Sequence, residues 1–106
     1  MNVSNLFSNI PDKGNEEVFD SLIEKKDVRI ERIVSSGQSS PEGYWYDQEK
    51  DEWVILLSGS AVIKFENEEQ LSSLYPGDYI FIPAHCRHRV ESTDKHSKTV
   101  WLAVHF

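Results

Sequence analysis

The stretch Pro76-Gly77-Asp78-Tyr79-Ile80-Phe81-Ile82-Pro83-Ala84-His85-Cys86-Arg87-His88 holds the pattern that decides the architecture. With Tyr75 before it, Tyr75-Pro76-Gly77-Asp78 is a tight turn: proline presets one dihedral, glycine accepts conformations closed to other residues, and aspartate bonds to nearby backbone. Tyr79 to Ile82 is aromatic and β-branched, as strands prefer, and ends at Pro83, which has no N–H to give to a ladder. Beyond that corner Cys86, His88 and Val90 alternate with Arg87, Arg89 and Glu91. A period of two places His88 on the apolar side of a second strand.

Working outward, Trp53 to Leu57 is a continuous apolar run, Gly59 interrupts it, and Ala61, Ile63 and Phe65 then alternate with Val62, Lys64 and Glu66. Upstream, Val28 to Val34 is β-branched with imperfect alternation, and Ser35 to Gly43 is a turn-rich loop. Downstream, Thr99 to Phe106 is a last strand, apolar on both faces apart from His105. Six or more short strands separated by turns predict an all-β antiparallel sandwich or barrel. The first 26 residues differ. Asn15 can cap a helix, Glu16 and Glu17 suit its first turn, and Val18, Phe19, Leu22 and Ile23 form one apolar stripe. Lys25 and Lys26 suit its C-terminus, so a short helix is expected over Asn15 to Lys25. The expected organisation is one domain over 1–106, with an arm and helix at 1–26 and a barrel at 27–106.

The chain has 106 residues, which favours a single core. Twelve aromatics and few Pro or Gly exclude wholesale disorder. A net charge of −7 with no Lys/Arg cluster argues against a nucleic-acid partner. The longest charge-free apolar stretch, Trp53 to Ile63, falls well short of the ~20 residues that span a bilayer, so no membrane partner is expected. Met1 to Pro11 lacks the pattern of a secretory signal, and the single cysteine, Cys86, suits a reducing compartment. A soluble cytoplasmic protein is the expectation.

These residues together resemble the cupins, small β-barrels of jelly-roll topology (a double-stranded β-helix). The second cupin motif has a glycine, about five residues, a proline and a histidine; here Gly77, Pro83 and His88 fit it, with His85 where a glycine is usual. The first motif is a His-x-His pair, a glutamate, six residues and a glycine. Glu52 and Gly59 fit its second half, and Pro41-Glu42-Gly43 its approach. The pair itself is missing. Where it should stand the chain reads Tyr44-Trp45-Tyr46-Asp47-Gln48, so the two alignable registers offer Trp45 and Asp47, or Tyr46 and Gln48.

The resemblance implies a divalent metal site of Glu52 and His88, with Asp47 as third ligand and His85 as a fourth if the Pro83 corner turns it inward. A set of carboxylates and imidazoles suits iron, manganese or zinc. Trp45, Tyr46 and Gln48 are the expected pocket residues, since aromatics orient a small ligand at little entropic cost. Each has a plainer reading: Glu52 as a solvated strand end, His88 as a core histidine, Asp47 as a turn residue, His85 as a rim residue, the aromatics as a lid. Cys86 is expected to be an inert core thiol, because burial raises a thiol pKa, and Arg87 and Arg89 a solvated face.

Three functions stay open on this reading: a metal-dependent enzyme of dioxygenase, isomerase or hydrolase type acting on a small molecule; a non-catalytic ligand-binding or sensing cupin that has lost part of the metal site; and a scaffold. An inward Glu52 carries Val54 and Leu56 inward and turns Trp53, Ile55 and Leu57 outward. Strands apolar on both faces need a cover on both, so a homodimer is expected.

Overall fold

The computed structural model describes residues 1–12, 14 and 16–106. Eight strands follow in order: β1 (Val18–Lys25), β2 (Val28–Ser35), β3 (Glu52–Ser58), β4 (Ala61–Phe65), β5 (Ser72–Leu74), β6 (Tyr79–Ile82), β7 (His88–Thr93) and β8 (Thr99–His105). They form a five-stranded sheet in the order β1-β2-β8-β3-β6 and a three-stranded sheet in the order β5-β4-β7, and all pairings are antiparallel. The fold is all-β. Among the described residues no helix is long and apolar enough to cross a membrane.

The core lies between the two sheets. Val54 and Leu56 of β3, Ala61, Ile63 and Phe65 of β4, and Trp101 and Ala103 of β8 meet there with Leu74 and Ile82. In β3 burial alternates, with Glu52, Val54 and Leu56 buried and Trp53, Ile55 and Leu57 half-buried on the outer face. Burying a leucine-sized side chain contributes about 1.5–3 kcal/mol, so this stripe fixes which face of β3 turns inward.

Gly59 is constrained more tightly than an ordinary turn residue. Its φ is 83°, and a side chain there would lie 2.7 Å from Thr99 Cα and 2.8 Å from the carbonyl oxygen of Lys98. Only a residue without a Cβ lets the β3–β4 turn pass this close to the start of β8.

Where a helix is expected over Asn15 to Lys25, the chain instead forms β1, which makes seven cross-strand pairs with β2, from Val18↔Val34 to Lys25↔Val28. Asn15, the expected cap, lies outside the described residues. The register shifts between Ser21 and Ile23, where Leu22 is the extra residue of a bulge. That extra residue breaks the period of two and leaves an apolar spacing that mimics a helix. Lys26 and Asp27 make the hairpin turn.

The N-terminal arm is tied to the outside of this hairpin. Arg32 of β2 donates to the carbonyl oxygens of Leu6 (3.0 Å) and Ser8 (2.8 Å) and pairs with Asp20 at 2.8 Å. On the far side of the large sheet, aromatic rings stay on the surface. Phe81 and Phe106 have centroids 6.3 Å apart, and Trp53 lies 5.5 Å from Tyr79.

A candidate acid–base pocket in the barrel

A cavity of about 70 Å³ opens between the sheets at the end where β3 begins and β8 finishes. Its floor is apolar, with Ile33, Val54, Ile63, Ile82 and Trp101. Its polar wall is Glu17, Glu31, Tyr46, Gln48, Glu52, His88 and His105. Strand pairing brings these residues together from distant parts of the chain. Glu52 faces His105 across the β3–β8 ladder, and β2 beside β8 supplies Glu31. His88 opens β7 and pairs with Tyr46 in an isolated bridge, so residues 46–48 run beside the start of that strand.

Glu31, Glu52, His88 and His105 are 8%, 6%, 6% and 4% exposed. They form two unlike pairs. His105 Nε2 is 2.9 Å from Glu31 Oε1, a closed hydrogen bond. His88 Nε2 is 3.8 Å from Glu52 Oε1, beyond hydrogen-bond reach. The Glu52 carboxylate lines the cavity, with the His88 ring as its ion-pair neighbour. This second pair lines the cavity without a closed hydrogen bond between its members.

The orientation of His88 is fixed. Its Nδ1 lies 2.9 Å from the carbonyl oxygen of Cys86. A carbonyl can only accept, so Nδ1 carries the hydrogen and the ring presents Nε2 to the cavity. Tyr46 stacks on the ring at 5.4 Å and 23°, and Phe65 packs against it at 6.0 Å. Burial, followed by the nearby Glu17, pushes the Tyr46 hydroxyl up to about 12, so it stays protonated and can donate. Burial likewise pushes the Glu52 carboxyl above the ordinary glutamate range, opposed by the imidazoles of His105 and His88.

The sequence-predicted residues separate into two groups. Glu52, His88, Tyr46 and Gln48 line the cavity, while Asp47, His85 and Trp45 do not. The bridge that turns Tyr46 toward His88 turns Asp47 outward by strand alternation. There Asp47 pairs with His85 Nδ1 at 2.8 Å, on the surface. The Pro83 corner redirects His85, which has a φ of 62°, but toward the rim rather than the cavity. That left-handed backbone is the physical reason a glycine suits this position. Cys86 is half-buried and packs against the core. Arg89 departs from the expected solvated face: it is mostly buried, donates to the carbonyl oxygens of Ser40 (3.1 Å) and Pro41 (2.9 Å), and so holds the loop that leads to Tyr46.

The donor set does not fit a resident divalent ion. Such an ion needs about three converging protein ligands. Glu52 and His88 offer two, the positions of the missing His-x-His pair carry Tyr46 and Gln48, and the His105–Glu31 bond is already made. Among the described residues no three His, Cys, Asp or Glu side chains gather in a metal-holding group. Glu31 and His105 were not singled out as site residues by the sequence. The available signal was their phase: Glu31 shares a face with Ile33 and Ser35, and His105 with Trp101 and Ala103.

Comparison with known proteins identifies the family. The cupin domain family matches residues 31–105, and the chain belongs to it. A Ralstonia eutropha JMP134 protein called a "putative mannose-6-phosphate isomerase" is 50% identical over 99% of this chain and 97% of its own, with a TM-score of 0.95. A Desulfitobacterium hafniense DCB-2 cupin superfamily protein shares the fold at 24% identity, covering 92% and 83%, with a TM-score of 0.76. The hydroxypropylphosphonic acid epoxidase of S. wedmorenis shares it at 17% identity, covering 85% and 51%, with a TM-score of 0.71. No protein of curated function matches the chain.

The raised Glu52 carboxyl has a pH signature. A carboxyl raised on folding stabilises fully below its unfolded pKa, and that contribution is lost as pH rises through the folded value. Glu52→Gln mimics the protonated form and so escapes the loss. Its melting temperature should exceed that of the native chain at about pH 8 and converge with it toward about pH 4. An offset that stays constant across that range would contradict the burial account.

Proposed function

We propose that this protein binds a small hydroxylated carbonyl compound in the barrel cavity and moves a proton on it, as an isomerase does. The open pair of Glu52 and His88 carries the reading: an imidazole nitrogen and a carboxyl biased toward its protonated form face one small cavity, 3.8 Å apart. Enzymes set general acid and base apart by environment in this way. In the proposed step His88 Nε2 takes the proton from a carbon beside the carbonyl while Glu52 gives its proton to the carbonyl oxygen, forming an enediol. The return step gives the His88 proton to the former carbonyl carbon, and the neighbouring hydroxyl proton goes back to Glu52. Tyr46 donates a hydrogen bond to the oxygen that gains charge. The name of the Ralstonia protein supports isomerisation as the reaction class. Iron, manganese and zinc enter no step of this scheme.

Solvent-deuterium incorporation tests the scheme. Aldoses and aldose phosphates, mannose 6-phosphate among them, are incubated with the protein in D₂O and followed by proton NMR. Protein-dependent exchange at the carbon next to the carbonyl is expected. It should fall by about 10²-fold or more in His88→Gln and in Glu52→Gln. Exchange at the buffer rate, with saturable binding intact, would instead support a non-catalytic ligand-binding protein.

We propose further that the outer face around Phe81, Phe106, Trp53 and Tyr79 pairs two copies of the chain. Phe81, Phe106 and Tyr79 are half or more exposed, and the arm held by Arg32 lies over the β1–β2 hairpin instead. Sedimentation equilibrium at micromolar concentration should give the dimer mass, and Phe81→Glu should shift it to the monomer. A native chain of monomer mass overturns the proposal.

A further inference from the structure

Beside the acidic cavity lies a second, more open cleft of about 400 Å³, formed by the β1–β2 turn and the segment that leads into β3. Gln48 and His105 line both spaces, so the two are contiguous. Their charges are opposite. The cavity presents Glu17, Glu31 and Glu52 and no lysine or arginine. The cleft presents Lys25, Lys26, Arg29 and Lys50 against Glu24 and Glu49. On a chain of net charge −7 with 11 basic residues, four of those eleven face this one cleft.

Three of these four cations are not spent on ion pairs. Among the described residues Lys25, Lys26 and Lys50 enter no ion pair, and Arg29 reaches Glu31 only at 3.7 Å with its side chain 45% exposed. They also come from separate segments. The end of β1 and the hairpin turn supply Lys25 and Lys26, and Arg29 stands opposite His105 in the β2–β8 ladder. Lys50 arrives from the segment before β3. Unpaired like charges repel, so their convergence carries a cost that a bound anion would relieve.

We propose that this cleft is an oxyanion vestibule, which holds the phosphate or carboxylate end of a small ligand whose hydroxylated end enters the cavity. The cavity wall holds acidic side chains and no lysine or arginine, while the vestibule holds four cations, so charge orients the molecule with its anionic end in the vestibule. Arg29, next to His105, can offer a fork of donors to two oxygens, while the lysines act as mobile point charges. The inference rests on the cavity being the ligand site, and it adds that the substrate class is anionic at one end only.

Backbone amide NMR of the full chain tests it, with inorganic phosphate as one probe and acetate as another. Saturable shifts are expected at Lys26, Arg29, Gln48 and Lys50 and should weaken as salt is raised. Phosphate saturating well before acetate assigns the vestibule to phosphate; equal or better response to acetate assigns it to carboxylate. The double variant Lys26→Glu/Lys50→Glu should weaken the preferred anion by about tenfold or more. No saturable shift for either anion overturns the proposal, as does a variant that binds within about twofold of the native chain. A neutral hexose, read at Tyr46 and His88, tests the cavity separately, so the two readings can fail independently.

Discussion

The antiparallel pairing of β3 with β8 is the constraint on which the rest of the structure depends. It sets Glu52 opposite His105 at one end and brings Val54 and Leu56 beside Ala103 and Trp101 along the same ladder. A slip of one residue would turn the apolar stripe to the outside and carry Glu52 and His105 with it. Gly59 holds this register mechanically, because the turn after β3 lies almost against Thr99 and Lys98 at the start of β8. Core packing and site geometry are thus two consequences of one alignment.

The site is a cost that this core carries. Burial penalises the charged form of a carboxylate, and the raised Glu52 carboxyl expresses that penalty as a bias toward the neutral form. The second pair, His105 with Glu31, is buried as deeply but satisfied, so it supports the wall without offering a free group. The opposite sign of the adjoining cleft then gives the site a direction.

Much of this was legible in the residues. The turn at Tyr75 to Asp78, the proline corner and the alternation through His88 are local patterns, and local patterns survive without tertiary context. Glu52 and Gly59 carry the spacing of the first cupin motif, and both stand where that spacing implies. β1 was not legible as a strand, because the bulge at Leu22 shifts its phase and leaves an apolar stripe of helical spacing. The partnership of Glu31 with His105 joins positions 74 residues apart, and no local motif announces it. Asp47 and Gln48 could not be told apart until the Tyr46–His88 bridge set the phase of that segment.

Behind the isomerase scheme stands one central claim: the cavity works through its own acid–base groups, not through a resident ion on Glu52 and His88. Elemental analysis of protein purified without a histidine tag, after exposure to iron, manganese and zinc and removal of excess, tests that claim most directly. The account predicts less than about 0.1 equivalent of each metal, because two free ligands hold a divalent ion weakly. A full equivalent of one metal that is lost in His88→Gln would contradict it.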